Sequence, residues 1–295
     1  ADRLAAAAPD ARGAVIRAFG EARPDDLVDL TGACTIGGLA VGPPGGMPPP
    51  GAAIADLVLA PGDDADDADP RVMPGDIAPA DMRPGAIYNS NRFFLRALLL
   101  RLGCEVSDLG IVPDTLEATR DALRRASKDH DLIITSGGVS VGEEDHIKPA
   151  VTAEGRLDMW QIAIKPGKPL AFGAVKKQGA DHLETWFMGL PGNPVSSFVT
   201  FLLFVRPFIA KLQGRAHANA PVIMMRADFD WSKPDRRNEF LRVRINAQGG
   251  LDLFPNQSSG VLTSASWADG LVDNPPLQAI KPGDMVKYMP FSGMI

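Results

Sequence analysis

The sequence predicts an α/β fold in which a mostly parallel, three-layer sheet domain is followed by a small all-β barrel domain. Between residues 84 and 212, strand-like and helix-like segments alternate, the order expected of a parallel sheet with right-handed crossovers. The β-rich run 132–135 leads into Ser136-Gly137-Gly138, a turn that lets the backbone approach a ligand closely. Beyond Pro221, short alternating strands separated by turn residues predict the barrel.

We divide the chain into three regions, at 1–83, 84–216 and 217–295. The first region gives few structural signals, because Pro/Gly tracts and the aspartate run at 63–69 are typical of loops and linkers. A strand is expected at 54–59. The aspartate run lacks the glycine and glutamate spacing of a calcium loop, which disfavours a cation site there.

The second region has clear helix boundaries. Asn89 and its neighbours are N-cap residue types, and the apolar helix that follows them ends at Gly103. After a strand at 104–112, a second helix is expected to begin with Asp114 as its N-cap and Glu117 as its capping-box partner.

The remaining elements are predicted from the periodicity of apolar residues. They are a helix at 146–154 and strands at 132–135, 160–164, 170–175 and 185–188, of which the last two are expected to flank a polar hairpin. A long apolar helix is predicted at 195–212, with Asn193 as its N-cap and Pro194 as its first residue. Strand-like segments at 222–231 and 240–245 open the third region.

Composition excludes several classes of protein. A formal net charge of −6 argues against general binding of nucleic acid or membrane surfaces. No apolar run is expected to reach the ~20 residues of a membrane span. The two cysteines, Cys34 and Cys104, fit a cytoplasmic protein and supply neither a disulfide framework nor a zinc site. Any bound metal is expected to be a hard ion held by oxygen.

Three polar loops are expected at one edge of the sheet, because the strand-to-helix loops of a parallel sheet emerge together. Acidic residues beside a glycine turn suit an anionic ligand only when a divalent cation lies between them. The candidates are Gly137, Gly138, Gly192 and Asn193 for backbone contact, Ser136 and Ser140 for hydroxyl donation, Lys165 and Lys168 for charge, and Asp114 and Asp145 for Mg²⁺. Asp114 is equally compatible with a plain helix cap. The acids at 143–145 are also compatible with a structural role, in which they interact favourably with the positive end of the following helix.

Five motifs along the chain resemble one family, the molybdopterin molybdenumtransferases of molybdenum-cofactor synthesis. These motifs lie at 87–92, 108–114, 135–145, 165–173 and 189–196, within a resemblance that covers 84–295. The resemblance implies insertion of molybdate into adenylylated molybdopterin with release of AMP, dependence on Mg²⁺, and a homodimer. It also implies a molybdopterin-binding α/β domain, a C-terminal β-barrel, and a molybdopterin adenylyltransferase as the upstream partner.

The resemblance assigns roles to the candidate residues. The catalytic residues are expected to be Asp114, Asp145, Lys165 and Lys168, with Asp114 and Asp145 as metal ligands. The ligand-binding residues are expected to be Ser136, Gly137, Gly138, Ser140, Gly192, Asn193, Ser196 and Arg242. Two other readings are a molybdopterin adenylyltransferase, whose family loop has a different sequence, and an inactive scaffold with the same fold. Residues 1–83 lack the family's usual N-terminal signatures, so we expect this chain to bind ligand but to transfer molybdenum poorly.

Overall fold

The computed structural model describes residues 53–59, 89–139, 146–215 and 218–295. These residues form two compact units. The first unit comprises 53–59, 89–139, 146–160 and 169–192, and the second comprises 161–168, 193–215 and 218–295. Residues 193–215 thus group with the C-terminal strands, whereas the predicted domain boundary lies after residue 216. The three predicted domains stay a prediction.

The first unit contains one six-stranded sheet and three helices. In chain order its elements are β1 (Ala53–Leu59), α1 (Ser90–Arg101), β2 (Glu105–Val112), α2 (Leu116–Asp129), β3 (Leu132–Ser136), α3 (Ile147–Glu154), β4 (Gly155–Gln161), β6 (Pro169–Lys177) and β7 (Ala180–Leu190). The intervening strand β5 (Ile164–Lys165) belongs to the second unit. The strand order in the sheet is β2-β1-β3-β7-β6-β4.

The sheet is mixed, which corrects the prediction of a mostly parallel sheet. Strands β2, β1, β3 and β7 run parallel to one another, whereas β6 is antiparallel to β7. The reason is the connection between β6 and β7, which is a tight turn containing Gly179 at φ +82°. A connection this short joins only antiparallel strands, because parallel neighbours need a crossover of a dozen residues or more.

Strand β3 lies at the centre of the first unit's core. All five of its residues are buried, and Leu132, Ile133 and Ile134 are fully inaccessible. Burial of each such aliphatic side chain stabilises the fold by roughly 1.5–3 kcal/mol. Helices α2 and α3 pack apolar side chains such as Leu123 and Val151 into the same core. The end of β3 is therefore a rigid starting point for the turn that follows.

One helix start and one strand differ from the predictions. Helix α1 begins as predicted, with Asn89 as N-cap accepting from the Arg92 N–H at 3.3 Å. Helix α2 has Thr115 as its N-cap instead of Asp114, because the Thr115 hydroxyl accepts from the Ala118 N–H at 3.2 Å. The strand predicted at 160–164 is split into β4, which begins at Gly155, and β5.

The second unit contains the long apolar helix. It spans Pro194–Leu212 as α4 (Pro194–Thr200), a π-helical segment (Phe201–Val205) and α5 (Arg206–Leu212). Asn193 is its N-cap and Pro194 its first residue, as predicted. Its 19 residues and mean hydropathy of 1.6 make it long and apolar enough to span a membrane, which the sequence analysis did not expect. Because 83% of that apolar window is buried inside the structure, it has the character of a core helix.

The C-terminal strands form a sheet that does not close into the predicted barrel within the described residues. The elements are β8 (Ile223–Arg226), β9 (Asn238–Ile245), β10 (Leu251–Leu253), α6 (Thr263–Trp267), β11 (Gly270–Asn274) and β12 (Met285–Pro290). Their order is β10-β9-β11-β12-β8, and β5 pairs in parallel with β9. The two edges meet through a single isolated bridge, Ala227 to Leu251, because β8 and β10 are too short to form a ladder.

We expect Glu154→Gln to lower the free energy of unfolding at neutral pH, and the loss to disappear in acid. Burial raises the pKa of Glu154, but hydrogen bonds from Arg124 (2.8 Å) and Arg120 (2.7 Å) outweigh burial and hold that pKa below its ordinary value of 4.5. A carboxyl whose native pKa is lowered stabilises the fold above its unfolded pKa, and this stability is lost as the pH falls through the native pKa. Urea unfolding of both proteins across this pH range measures the difference.

The matched control is Glu117→Gln, which removes an exposed carboxylate from the first turn of α2. We expect it to cost about 0.5 kcal/mol or less, since only its interaction with the helix dipole is lost. The interpretation of the Glu154 ion pairs is wrong if the two variants lose the same stability with the same pH dependence.

Candidate functional site

The candidate site of the first unit lies where the parallel strands end. Strand β1 is followed in the chain by β2 on one side of it, whereas β3 lies on its other side and leads away toward β7. Such a reversal in the order of strands across the sheet opens a crevice beyond the carboxyl ends of β1 and β3. Ligands of open α/β sheets bind in this crevice. The residues that follow β3 at this point are Gly137 and Gly138.

Both glycines have backbone conformations that side-chain-bearing residues rarely adopt. Gly137 has φ +92° and Gly138 has φ +65°. The Gly137 N–H donates to the carbonyl of Leu190, the last residue of β7, at 3.0 Å. Gly138 is half-buried, and its N–H makes no hydrogen bond within the described part of the chain. The Gly138 amide is therefore available to an anionic ligand.

Ser136 is held inside the first unit. Its side chain is 2% exposed, its Oγ accepts from Asn91 Nδ2 at 2.7 Å, and it donates to the Pro191 carbonyl at 3.3 Å. The hydroxyl proton therefore has an acceptor within the protein. The predicted role of Ser136 as a hydroxyl donor to the ligand stays a prediction.

Asn91 also lies at this site, although it is not among the predicted site residues. Its Nδ2 donates to Ser136 Oγ and also to the Gly192 carbonyl, both at 2.7 Å. Asn91 thus joins the segments that follow β3 and β7, and Gly192 is brought beside the glycine turn. A Cβ placed on Gly192 would lie 3.6 Å from the Cα of Gly137. The only signal in the sequence was the position of Asn91 in the motif at 87–92.

Asp114 follows β2 at the same edge of the sheet. It is exposed, and its carboxylate makes no hydrogen bond or ion pair within the described residues. Ser140 and Asp145 lie outside the described residues. No cluster of three or more His, Cys, Asp or Glu residues that could hold a metal occurs in the described part of the chain. Mg²⁺ keeps several waters and needs only one or two protein carboxylates when substrate phosphates complete its shell, so Asp114 fits such an ion.

The two candidate lysines lie in the second unit and differ in their environments. Lys165 Nζ contacts Glu239 Oε1 at 3.1 Å and Asp235 Oδ2 at 3.3 Å. Glu239 is only 1% exposed and also accepts from Trp231 Nε1 at 2.7 Å. The ammonium of Lys165 is therefore already neutralised by buried and half-buried carboxylates. Lys168 is exposed, with no ion pair within the described residues.

The turn between the lysines packs against helix α4. A Cβ on Gly167, whose φ is +121°, would lie 2.6 Å from Thr200 Cγ2. The Lys168 carbonyl accepts from the Ile162 N–H at 2.9 Å, which closes the turn. Close packing of this kind fixes where the Lys168 side chain leaves the backbone.

Asn193 and Ser196 lie in the first turn of α4. Asn193 is exposed, and its side chain makes no capping hydrogen bond, so its amide is available to a ligand. Ser196 is 4% exposed, and its carbonyl accepts from Thr200 Oγ1 at 2.8 Å. These contacts do not test whether Asn193 or Ser196 binds a ligand, so both assignments stay predictions.

Arg242 is buried in the second unit, at 1% exposure. Its guanidinium donates to Ser264 Oγ, to the Phe240 carbonyl and to the Ser258 carbonyl at 3.2–3.3 Å. Burial lowers the pKa of Arg242 to about 10, which leaves it cationic at neutral pH. The arginine therefore anchors the segment that follows β10, and its predicted contact with ligand stays a prediction.

An arginine also maintains the charge of Asp235 beside Lys165. The hydrogen bonds from Arg237, with a smaller one from Lys165, hold the pKa of Asp235 well below its ordinary value, against the opposing effect of burial. The aspartate is thus ionised throughout the physiological range. Together with Glu239 it fixes the direction of Lys165.

Family models match two regions of the chain. Residues 59–211, just over half of the chain, match the family described as "Probable molybdopterin binding domain". Residues 225–291 match the family described as "MoeA C-terminal region (domain IV)". The first match contains the glycine turn, and the second contains most of the C-terminal strands.

Curated relatives and a solved structure agree with these matches. The chain is 44% identical over 175 residues to the molybdopterin molybdenumtransferase of Haemophilus influenzae, covering 58% of this chain and 42% of that protein. It is 34% identical over 208 residues to the molybdenum cofactor synthesis protein cinnamon of Drosophila melanogaster, covering 68% and 33%. A structure of the molybdopterin biosynthesis moea protein from Pyrococcus horikosii has the same fold, with a TM-score of 0.65, 24% identity, and coverage of 82% of this chain and 55% of that one.

The chain spans less than half of the length of these two curated relatives. The order of the two matched regions is nevertheless that of the motifs found in the sequence. The chain therefore belongs to the family described as "Probable molybdopterin binding domain", which matches 59–211, and it also matches the MoeA C-terminal region at 225–291.

Proposed function

We propose that this chain acts in molybdenum-cofactor biosynthesis as a Mg²⁺-dependent molybdopterin molybdenumtransferase. In this reaction molybdate enters the dithiolene of adenylylated molybdopterin, and AMP is released. The observation that carries the proposal is the glycine turn at the carboxyl edge of the sheet, in a chain that carries both family regions. Backbone amides in such a turn bind anions, and both substrates of this reaction are anionic.

The protein contributes position and charge to this reaction. In the first unit, the Gly138 amide binds an anionic group of the pterin ligand. In the second unit, Lys168 is proposed from the resemblance to offset negative charge on a substrate. Asp114, together with Asp145, holds Mg²⁺, which when bound neutralises phosphate and molybdate oxygens. Because two anions must meet in reacting geometry, rigid support of these groups contributes more to the rate than affinity alone.

The cellular setting follows from the same proposal. The adenylylated substrate comes from a molybdopterin adenylyltransferase, which is the proposed upstream partner. A homodimer and a cytoplasmic location are proposed from the resemblance. The buried free thiol of Cys104 fits a reducing compartment.

A second candidate function is a scaffold that retains the fold without catalysis. Lys165 favours this candidate, since its ammonium is committed to Glu239 and Asp235. The adenylyltransferase reading is disfavoured by the match of 225–291 to the C-terminal region.

A molybdenum-transfer assay, together with a separate assay that supplies ATP and molybdopterin, distinguishes the three functions. The chain is mixed with adenylylated molybdopterin, Mg²⁺ and molybdate, and AMP is measured in a single turnover. We expect ligand binding and AMP release that needs both molybdate and Mg²⁺, at a rate about a hundredfold below that of the full-length Haemophilus influenzae relative, since misplacement of ~1 Å costs that much. Adenylylation of molybdopterin from ATP would instead identify an adenylyltransferase, and absence of binding would leave the scaffold.

We expect Asp114→Asn to raise the Mg²⁺ concentration for half-maximal AMP release by about tenfold, since loss of one metal-supporting group typically costs 10–100-fold in metal affinity. Thermal stability should change little, because Thr115 and not Asp114 caps α2. The control is Asp129→Asn, which removes an exposed charge from the other end of the same helix. An unchanged Mg²⁺ requirement in the Asp114 variant would remove Asp114 from the metal site.

We expect Lys168→Ala to weaken binding of adenylylated molybdopterin about five- to tenfold at low salt, and the loss to shrink at high salt as screening increases. Calorimetric titration at two ionic strengths measures it. Lys176→Ala is the control, because Lys176 is also exposed and carries the same charge. Equal affinities for the two variants at low salt would contradict a specific role for Lys168.

A further inference from the structure

Asn91 is unusual in using both of its amide hydrogens on groups far away in the sequence. The acceptors are Ser136 Oγ and the Gly192 carbonyl, which are 45 and 101 residues away and both 2.7 Å from Nδ2. The side chain is 7% exposed, so water does not replace these bonds readily. Leaving either buried acceptor unpaired would cost the desolvation of that group.

The two hydrogen bonds from the Asn91 amide to Ser136 and Gly192 are called the clamp below. The helix that carries Asn91 gives this clamp a rigid base. Asn91 lies in the first turn of α1, whose Leu95 and Leu99 are fully buried. The next residue, Arg92, makes a two-point contact from Nε to the Asp108 carboxylate at 2.7 and 2.9 Å, which ties the same turn to β2. The amide of Asn91 is thus held in place by a helix that is itself fixed to the sheet.

The two segments that Asn91 joins are the two glycine-containing turns of the candidate site. Ser136 immediately precedes Gly137, and Gly137 donates to Leu190 at 3.0 Å. Gly192 follows β7, and a Cβ added to it would lie 3.6 Å from the Cα of Gly137. The backbone at Gly137 and Gly138 has no side chain to restrict it, so a contact from elsewhere in the chain has to fix the distance between this turn and Gly192.

We propose that Asn91 is a positioning residue that sets the distance between the Gly137-Gly138 turn and Gly192. This inference rests on the proposed function and goes beyond it, because it assigns a role to a residue that touches no reacting group. The amide of Asn91 fixes the direction of the Gly138 N–H relative to the exposed turn at Gly192. A ligand that contacts the Gly138 amide then finds it already oriented and pays less ordering entropy on binding.

The test compares isosteric variants of Asn91 with a matched control. Asn91→Asp keeps the size of the side chain but replaces the amide donor with oxygen, and Asn91→Ala removes the group. The control is Thr185→Val, which removes a buried donor shared by the Ser127 and His130 carbonyls at 2.9 Å, near the start of β3 at the opposite edge of the sheet. All three variants lose buried hydrogen bonding, but only the Asn91 variants lose the clamp.

Two readouts are used on the full chain. Calorimetry with adenylylated molybdopterin and Mg²⁺ is expected to show affinity about tenfold weaker for both Asn91 variants, and unchanged within about twofold for Thr185→Val. Hydrogen exchange of the Gly137 amide, measured without ligand, is expected to be faster in the Asn91 variants, and in Thr185→Val no faster than its loss of global stability requires.

The outcomes distinguish this inference from the proposed function. If the unaltered chain binds the ligand and Asn91→Asp binds equally well, the positioning role is wrong while the proposed function stands. The same conclusion follows if Gly137 exchange is unchanged in Asn91→Asp. If the unaltered chain binds no adenylylated molybdopterin, the proposed function fails, and the positioning role fails with it even where Gly137 exchange behaves as expected.

Discussion

The two hydrogen bonds from the Asn91 amide are the interaction on which the candidate site depends. They connect the end of β3 to the segment that follows β7, and they act beside the Gly137–Leu190 and Ser136–Pro191 hydrogen bonds. The buried aliphatic residues of β3 supply the rigid base for this arrangement. The glycines then supply a backbone that can expose an amide to an anion. The packed core thus supports the Asn91 hydrogen bonds, and these hydrogen bonds hold the glycine turn. We expect that removal of the Asn91 amide leaves a stable sheet with a loosely held turn.

The second unit uses charge in a comparable way. Glu239 is buried on β9 and accepts from Trp231, while Lys165 on β5 contacts it from the paired strand. An unpaired buried carboxylate is costly, so this set of bonds fixes β5 against β9. Lys168 lies three residues further along the same segment, and its side chain is exposed. The two lysines of one motif therefore differ in environment: Lys165 is held by two carboxylates, whereas Lys168 is exposed. The predicted catalytic role of each lysine stays a prediction.

Local features could be predicted from the sequence, and long-range pairings could not. The buried run of β3, its glycine turn and the N-cap at Asn193 follow from residue types a few positions apart, and all three are present. Asp114 and Thr115 are adjacent residues that both suit an N-cap, and residue type alone could not choose between them. The partners of Asn91 and Lys165 lie 45 to 101 residues away, so the sequence carried no local signal for either contact. The polar hairpin predicted between 170–175 and 185–188 is confirmed by the antiparallel pairing of β6 with β7. The prediction of a mostly parallel sheet did not take this hairpin into account, and it is wrong for that reason.

We propose that the glycine turn at the end of β3 holds an anionic ligand through its backbone. Nuclear magnetic resonance of the chain labelled with ¹⁵N-glycine, titrated with adenylylated molybdopterin and Mg²⁺, tests this most directly. We expect saturable shifts of the Gly137, Gly138 and Gly192 amides, largest at Gly138, with Gly103 at the end of α1 unchanged. Ligand binding that leaves the Gly138 amide unshifted, or that shifts Gly103 equally, would contradict it.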